Sequence, residues 1–302
     1  SGDSLVSDSD GFSIYRELFD KALVDRAISS GVKFSSKTDA ISTIRKKDLW
    51  EVTTSKGTVR SRAVILAAGP TSRLNSMFGL SGNKDLMKAV GMKIPIRDGS
   101  EVMEFYTMSK LKGGYGWWFP RGKEVNAGFC SDCDNMSLLH GLLRSKGVPK
   151  EITGSYHGGV MPHGGPIERF TGEQVVAVGD CGGFCHPVSK GGIHCALLSG
   201  SMGAEAIVRT LSGEVGALND LVKQIKDHPA FSHKNIDRRD FLASLSDKDL
   251  NALTSIAGGR NLRTINKAVA LKKALKYPNL VGIAMKGLKM VLDDKRWIDH
   301  TF

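Results

Sequence analysis

The spacing of apolar residues along the chain predicts a mixed order of helices and strands. Residues 16–30 carry apolar side chains at helical spacing, and Gly31 follows them as a helix C-cap would. Residues 32–34 are predicted to form a short strand, followed by a small antiparallel meander. Residues 63–67 are unbroken in their apolar character, which is typical of a buried parallel strand.

The second half of the pattern places a sheet inside this first unit. Residues 101–130 alternate between polar and aromatic positions, as an antiparallel sheet lining a pocket would. A second unbroken apolar run, 175–178, then enters Gly179-Asp180, and a Gly-rich stretch leads into a helix of small residues over 196–211. We therefore predict an α/β fold (mixed α+β) in which a Rossmann-like nucleotide-binding domain is interrupted. The predicted domains are a discontinuous nucleotide-binding domain (1–75 and 170–212), an antiparallel-sheet substrate domain (76–169) and a helical C-terminal region (213–302).

The turn at Gly179-Asp180 carries the strongest local signal for chemistry. A carboxylate at the carboxyl end of a buried strand can accept hydrogen bonds from the hydroxyls of a sugar or ribityl chain. Glycines beyond it let main-chain N–H groups approach a flat or phosphorylated ligand. Asp180 alone would be read as a helix cap, but the glycines at 179, 182, 183, 191 and 192, together with Pro187, favour a ligand site.

Four stretches of the chain resemble motifs of the geranylgeranyl reductase family, within the larger group that shares the para-hydroxybenzoate hydroxylase fold. The Gly-Asp turn resembles its second flavin-contact motif, YRELFD (15–20) its Arg-x-x-Phe-Asp helix start, and AVILAAGPTSRL (63–74) its Ala-Asp-Gly-x-x-Ser turn. The pattern Tyr115-x-Trp117-x-Phe119-Pro120 followed by Gly128 resembles a motif fairly specific to prenyl reductases. Aromatic side chains suit a prenyl chain, which offers only apolar surface and π bonds for recognition.

The resemblance implies roles for particular residues. The residues expected to bind FAD are Arg16, Ala40, Asp180, Pro187, Gly191, Gly192 and Ile193, and those expected to bind the prenyl group are Tyr115, Trp117, Phe119, Pro120 and Gly128. No metal site is expected, and no catalytic residue is assigned. His186 and His194 bracket the glycines, but we expect hydrogen-bonded histidines packed within the turn rather than proton donors.

The implied function is an FAD-dependent reductase that saturates carbon–carbon double bonds of geranylgeranyl chains in prenyl lipids, with NAD(P)H or a ferredoxin-like carrier as the electron donor. Two alternatives stay open at this point. One is a flavin monooxygenase or quinone-linked dehydrogenase of the same fold. The other is a non-catalytic prenyl-lipid-binding chain that lacks a complete flavin site.

Three departures from the family pattern bear on the cofactor. The chain contains no GxGxxG, the element that seats the pyrophosphate of a dinucleotide on a helix N-terminus. We expect that this first βαβ unit precedes the given sequence, is supplied by another polypeptide, or has been lost. Ala68 stands where the family often has Asp, and Cys130 replaces the last Gly of the aromatic motif.

Charge and cysteine content set the expected surroundings of the protein. The formal net charge is +11, and residues 260–296 hold ten Lys or Arg against two acids, which suits an anionic membrane surface. Residues 279–292 have an apolar stripe suited to lying on a bilayer or packing in a helical domain. Five cysteines, an odd number, indicate a reducing compartment. We expect a cytoplasmic protein, peripheral on the membrane, that binds no nucleic acid. Cys130/Cys133 and Cys181/Cys185 would form a zinc or redox site only if the pairs met in space.

Overall fold

A computed structural model describes residues 13–96 and 99–257, together with positions 4, 11, 282 and 283. The helices in this part of the chain are α1 (Arg16–Ser29), α2 (Leu74–Met77), α3 (Asn135–Ser145), α4 (Ile193–Leu211), α5 (Ala217–Asp227), α6 (Lys234–Ala243) and α7 (Asp247–Ala257). The strands are β1 (Ala40–Lys46), β2 (Leu49–Thr54), β3 (Gly57–Ser61), β4 (Val64–Leu66), β5 (Leu86–Ile94), β6 (Glu104–Tyr106), β7 (Tyr115–Arg121), β8 (Glu124–Cys130), β9 (Ser155–Pro162), β10 (Thr171–Gly172) and β11 (Val175–Ala177). The predicted mixed α/β class is confirmed.

The strands form three sheets, and one of them interrupts another. The first is the antiparallel meander β1-β2-β3, and the second has the order β10-β11-β4. In the second sheet β4 and β11 run parallel, with Val64 opposite Val175 and Leu66 opposite Ala177. The chain between these two strands contains the whole third sheet, which is antiparallel with the order β6-β7-β8-β5-β9. The predicted return to a parallel strand after an antiparallel insertion is therefore confirmed.

The first hydrophobic core lies between the β10-β11-β4 sheet and α4. Val175, Val176 and Ala177 are buried there because parallel strands are covered on both faces. A Cβ on Gly203 of α4 would lie only 3.0 Å from Val178 Cγ1. The small residues of α4 thus bring the helix backbone close to β11, as their spacing predicts.

The second core lies between the five-stranded sheet and α3. Successive side chains of a strand point to opposite faces, so Trp118 of β7 and Ala127 of β8 face α3 and pack with Leu139. The side chain of Asp134 caps α3 by accepting a hydrogen bond from Ser137 N, at 3.1 Å. The other face of the sheet therefore carries the odd-numbered residues of β7, and it is not covered by α3.

The structure differs from the sequence predictions at several elements. Residues 32–34 do not form a strand, and Val32 and Phe34 are exposed, so this prediction is wrong. No residue of α1 is buried, although its apolar residues have helical spacing. Strands β5 and β9 were not predicted from the sequence. Strand β9, SYHGGVMP, contains two glycines and a proline and few strand-forming residues.

Part of the sequence-based picture falls outside the described residues. The basic stretch 260–296 and the amphipathic stretch 279–292 lie there, apart from positions 282 and 283. Among the described residues no helix combines the length and the apolar character that crossing a bilayer requires.

A pair of glycine substitutions tests the packing of the turn after β11. Gly183 has φ +74°, and a Cβ there would lie 2.4 Å from the carbonyl oxygen of Gly165. Gly183→Ala should therefore lower the free energy of unfolding by about 2–4 kcal/mol, through backbone strain and overpacking. Gly200, inside α4, has no atom within 4 Å of its added Cβ, so Gly200→Ala should raise stability by up to about 1 kcal/mol. Urea denaturation measures both, and equal effects would contradict this account of the turn.

Candidate functional site

The site begins at the carboxyl end of β11, where the backbone turns sharply. Gly179–Gly182 form one turn of 3₁₀ helix, with Gly179 at φ +55°. The hydroxyl of Ser199 on α4 accepts a hydrogen bond from Gly179 N at 3.0 Å. The side-chain amide of Asn83 donates to the carbonyl oxygen of Asp180 at 2.9 Å. The turn is therefore fixed from two sides, and the direction of the Asp180 side chain is fixed with it.

The Asp180 carboxylate is half-buried, and the protein does not satisfy it. Burial raises its pKa, and the nearby charge of Arg16 opposes this rise. Within the described ranges, no protein group donates a hydrogen bond to this carboxylate. A Cβ on Gly192 would lie 3.4 Å from Asp180 Oδ1, so the N-terminus of α4 adjoins the carboxylate. A half-buried acceptor without a donor beside a helix N-terminus fits a ligand that brings hydroxyl groups and negative charge.

The glycines of this stretch serve two different purposes. A Cβ on Gly182 would lie 2.5 Å from the ring of Phe184, and one on Gly183 would strike the backbone of Gly165. These two glycines are therefore required by packing within the protein. Gly192, whose missing side chain leaves room beside Asp180, is the one whose surroundings suit a ligand.

The turn between Pro187 and α4 is also tightly held. The buried ring of His186 accepts hydrogen bonds from Val188 N and Ser189 N through Nδ1, both at 3.3 Å. Its neutral form therefore carries the proton on Nε2. Lys190 has φ +58°, and its ammonium donates to the carbonyl oxygen of Pro187. Burial lowers the pKa of Lys190 to about 8. His186 is thus held inside the turn, as predicted, whereas His194 is exposed in the first turn of α4, so the predicted packing is wrong for His194.

The face of the five-stranded sheet opposite α3 carries a cluster of aromatic rings. The rings of Tyr115, Trp117 and Phe119 alternate along β7, and Phe105 of β6 lies between them. The centroid of Phe105 is 5.4 Å from that of Tyr115 and 5.0 Å from that of Phe119, both in edge-on geometry. We call this surface the aromatic face.

One row of residues crosses all five strands of this face. In order it contains Phe105, Trp117, Gly128, Gly91 and His157. A Cβ on Gly128 would lie 2.3 Å from Trp117 Cζ2, and one on Gly91 would lie 2.6 Å from His157 Nε2. Glycine at both positions therefore lets the indole and imidazole rings lie against the sheet. Gly91 and His157 were missed from sequence, because no local pattern shows which strands become neighbours.

A part-buried hydrogen bond joins the aromatic face to the turn before α4. Tyr115 Oη donates to the carbonyl oxygen of Ser189 at 2.6 Å, and burial raises the pKa of this phenol. Cys130, opposite Tyr115 on β8, donates from Sγ to the carbonyl oxygen of Tyr115 at 3.5 Å. The Tyr115 end of the aromatic face therefore adjoins the turn that precedes α4.

The beginning of α1 closes the other end of this surface. Tyr15 Oη donates to the carbonyl oxygen of Arg121 at 2.5 Å, and Arg121 Nη1 donates to the carbonyl oxygen of Ile14 at 2.8 Å. Glu17 pairs with Lys93 of β5 at 2.5 Å. Arg16, in the first turn of the same helix, is close enough to Asp180 for the charge of its guanidinium to lower the pKa of the carboxylate.

The remaining predicted residues lie in three different settings. Ala40 begins β1 in the small meander and is exposed, and no hydrogen bond of the described residues links it to the Asp180 turn. Pro120 pairs with Val125, which puts it on the α3 side of the sheet. Ile193 is exposed in the first turn of α4.

The cysteines are free thiols, and burial raises the pKa of Cys130, Cys181, Cys185 and Cys195. Thiols of this kind stay protonated at neutral pH and are poor nucleophiles. In the part of the chain that the structure describes, no three His, Cys, Asp or Glu side chains gather as metal ligands would.

The unsatisfied carboxylate predicts a particular pH dependence of stability. Because the folded pKa of Asp180 lies above that of the unfolded chain, its charge destabilises the fold above the folded pKa and has no effect below the unfolded value, about 4. Asp180→Asn should therefore raise the free energy of unfolding at pH 7, and this gain should vanish near pH 3. The control is Asp48→Asn, in the exposed turn between β1 and β2. A loss of stability at pH 7 in Asp180→Asn would contradict the assignment.

The chain is similar to known proteins over most of its length. No family model matches the chain. It is 30% identical over 298 residues to digeranylgeranylglycerophospholipid reductase 2 of Methanothermobacter thermautotrophicus, covering 90% of this chain and 76% of the relative.

Two solved structures share the fold. A geranylgeranyl bacteriochlorophyll reductase-like protein of Thermoplasma acidophilum has a TM-score of 0.75 at 25% identity, covering 93% of this chain and 78% of that one. A flavoprotein/dehydrogenase of Cytophaga hutchinsonii has a TM-score of 0.62 at 17% identity, covering 91% and 74%, and it shows the shared fold alone. Because it is 30% identical to digeranylgeranylglycerophospholipid reductase 2 over 90% of its own length, the chain belongs to the digeranylgeranylglycerophospholipid reductase family.

Proposed function

We propose that this chain is an FAD-dependent reductase that saturates carbon–carbon double bonds of geranylgeranyl chains in prenyl lipids. One observation carries the proposal. A half-buried carboxylate that has no donor among the described residues lies beside a helix N-terminus, and a part-buried hydrogen bond joins the neighbouring turn to the aromatic sheet face. The first feature suits a cofactor rich in hydroxyls, and the second suits an apolar chain.

The residues around Asp180 fit FAD. Asp180 would accept hydrogen bonds from its hydroxyls, Arg16 would balance its negative charge, and the start of α4 at Gly192-Ile193 would approach it through main-chain N–H groups. Pro187 and Gly191 shape the turn that leads into this helix, and Ala40 is the proposed neighbour of the adenosine part. When bound, FAD supplies the hydride for the reaction.

The aromatic face would hold and orient the prenyl chain. The rings of Trp117, Phe119 and Tyr115 are half-buried, and Gly128, which has no side chain, leaves room for the Trp117 ring to lie against the sheet. Pro120 lies on the opposite side of the sheet, so its contribution would be to the shape of β7. Apolar walls of this kind also exclude water from the reacting double bond.

We further propose that the enzyme works at an anionic membrane surface and receives electrons from NAD(P)H or a ferredoxin-like carrier. A lipid substrate and the excess of basic residues over 260–296 support the location. Family resemblance supports both kinds of donor equally. The alternative of a prenyl-lipid binder without flavin is decided by cofactor titration.

Flavin binding should depend on the Asp180 carboxylate. Titration of the protein with FAD, followed by absorbance near 450 nm and quenching of flavin fluorescence, should give saturable binding. Asp180→Ala should weaken it by about 10-fold or more, the effect of losing a charged hydrogen-bond acceptor. Asp48→Ala, at an exposed turn, should bind as the unaltered protein does. If the unaltered protein binds no flavin but still binds prenyl lipid, the chain is a non-catalytic lipid-binding protein and the proposed reductase function is wrong.

The two neighbouring tryptophans of β7 should respond differently to substitution. Trp117 lies on the aromatic face, so Trp117→Ala should weaken binding of geranylgeraniol by about 10- to 100-fold and lower stability only modestly. Trp118 is buried under α3, so Trp118→Ala should lower the free energy of unfolding by about 3–5 kcal/mol. Equilibrium binding and urea denaturation separate the two effects. Unchanged lipid binding in Trp117→Ala would contradict the proposed substrate surface.

A further inference from the structure

The aromatic face of the five-stranded sheet changes from apolar to polar along its strands. Its row nearest the Asp180 turn contains Tyr115, Cys130, Ala89 and Gly159. Two rows further along, the row contains Phe119, Asn126, Lys93 and Ser155. Four residues of strand separate the rows, which is about 13 Å. The face therefore has an apolar end and a polar end, as a molecule with an apolar chain and a polar head would require.

Positive charge gathers at the polar end. The pKa of His157 is lowered by burial first, and the charges of Lys93 and Arg121 lower it further. Two basic side chains, those of Lys93 and Arg121, therefore lie close to His157. Arg121 is buried and donates to Ile14 O, yet its Nε has no acceptor among the described residues.

The first turn of α1 adds to this positive end. The helix runs for 14 residues from Arg16, and no side chain caps its N-terminus at Tyr15. A helix N-terminus attracts anions through its dipole and its free N–H groups. The contacts of Tyr15 with Arg121 fix this terminus against the polar end of the face.

Two carboxylates balance these charges in different ways. Glu124 lies 2.8 Å from Arg121 Nη2 and is mostly buried. Glu17 lies 2.5 Å from Lys93 Nζ, but its side chain is 79% exposed. An exposed ion pair of this kind contributes little to stability, so another anion can replace Glu17 at small cost. The carboxylate of Glu17 marks a position where this surface already accepts an anion.

We infer that Lys93, His157 and the first turn of α1 bind the phosphate group of the lipid substrate, and that Glu17 competes with it for Lys93. The prenyl chain then runs from Lys93 across Trp117 toward Tyr115 and the Asp180 turn. This inference rests on the proposed function and adds the position of the head group and the direction of the chain. A free prenyl diphosphate and the phosphate of a prenylated glycerolipid offer the same chemistry to this site.

Paired ligands with and without phosphate test the inference. Binding of geranylgeranyl diphosphate and of geranylgeraniol is measured for the unaltered protein, Lys93→Gln, Glu17→Gln and Lys88→Gln. Lys93→Gln should weaken binding of the diphosphate by about 10-fold, the value of one charge-assisted contact, and leave the alcohol unchanged. Glu17→Gln should tighten binding of the diphosphate by about 3-fold, because a competing anion is removed. Lys88 is exposed on the same strand but lies on the α3 side of the sheet, so Lys88→Gln is the matched control and should change neither binding.

The possible results separate the two proposals. Equal responses of both ligands to Lys93→Gln, or an equal effect of Lys88→Gln, would overturn the head-group assignment while leaving the reductase intact. Failure of the unaltered protein to bind either ligand would instead overturn the proposed function. Competition by inorganic diphosphate, compared with competition by a digeranylgeranylglyceryl phosphate, identifies the source. If only the digeranylgeranylglyceryl phosphate competes with geranylgeranyl diphosphate for the protein, the site binds the phosphate of a glycerolipid. If inorganic diphosphate competes equally well, the site binds a free prenyl diphosphate.

Discussion

The part-buried hydrogen bond from Tyr115 to the carbonyl oxygen of Ser189 holds the proposed site together. It is 2.6 Å long and connects the first residue of β7 to the turn that begins α4. Removing one partner would leave a buried polar group unsatisfied, which costs more than the bond itself contributes. The hydroxyl of Tyr115 therefore does a structural task that a phenylalanine cannot, and the same ring takes part in the aromatic face. Through this contact the five-stranded sheet and the Asp180 turn keep a fixed relation.

The half-buried carboxylate of Asp180 carries a local cost in stability. Burial without a donor raises its pKa, so its charged form is disfavoured in the fold. Replacing it by a neutral group would stabilise the protein, yet only a charged acceptor binds hydroxyls strongly at this position. Lys190 is a second residue that lowers stability locally, because its backbone is left-handed and burial lowers the pKa of its ammonium group. The contacts of the surrounding turn offset this loss of stability. Both lie within the stretch that the sequence marks by its glycines.

Much of the fold could be predicted because its signals are local. The strand β11, the Gly-Asp turn and α4 follow from an unbroken apolar run, two glycines and a series of small residues. The family motif named Trp117, but from the sequence both tryptophans of β7 were expected to line the substrate pocket, and the structure instead places Trp118 against α3. The row that joins Trp117 to His157 could not be predicted, because it depends on the order of strands in the sheet and on two glycines far apart in sequence. The different purposes of Gly182 and Gly192 also become visible only when their neighbours are known.

The central claim is that flavin and prenyl chain occupy one continuous surface. The absorption spectrum of the flavin tests it most directly, because the band near 450 nm responds to the polarity of the surroundings of the ring. Geranylgeraniol added to the FAD-loaded protein should shift this band saturably, at the concentrations at which the alcohol binds. Binding of both molecules with an unchanged flavin spectrum would place them apart and contradict the account.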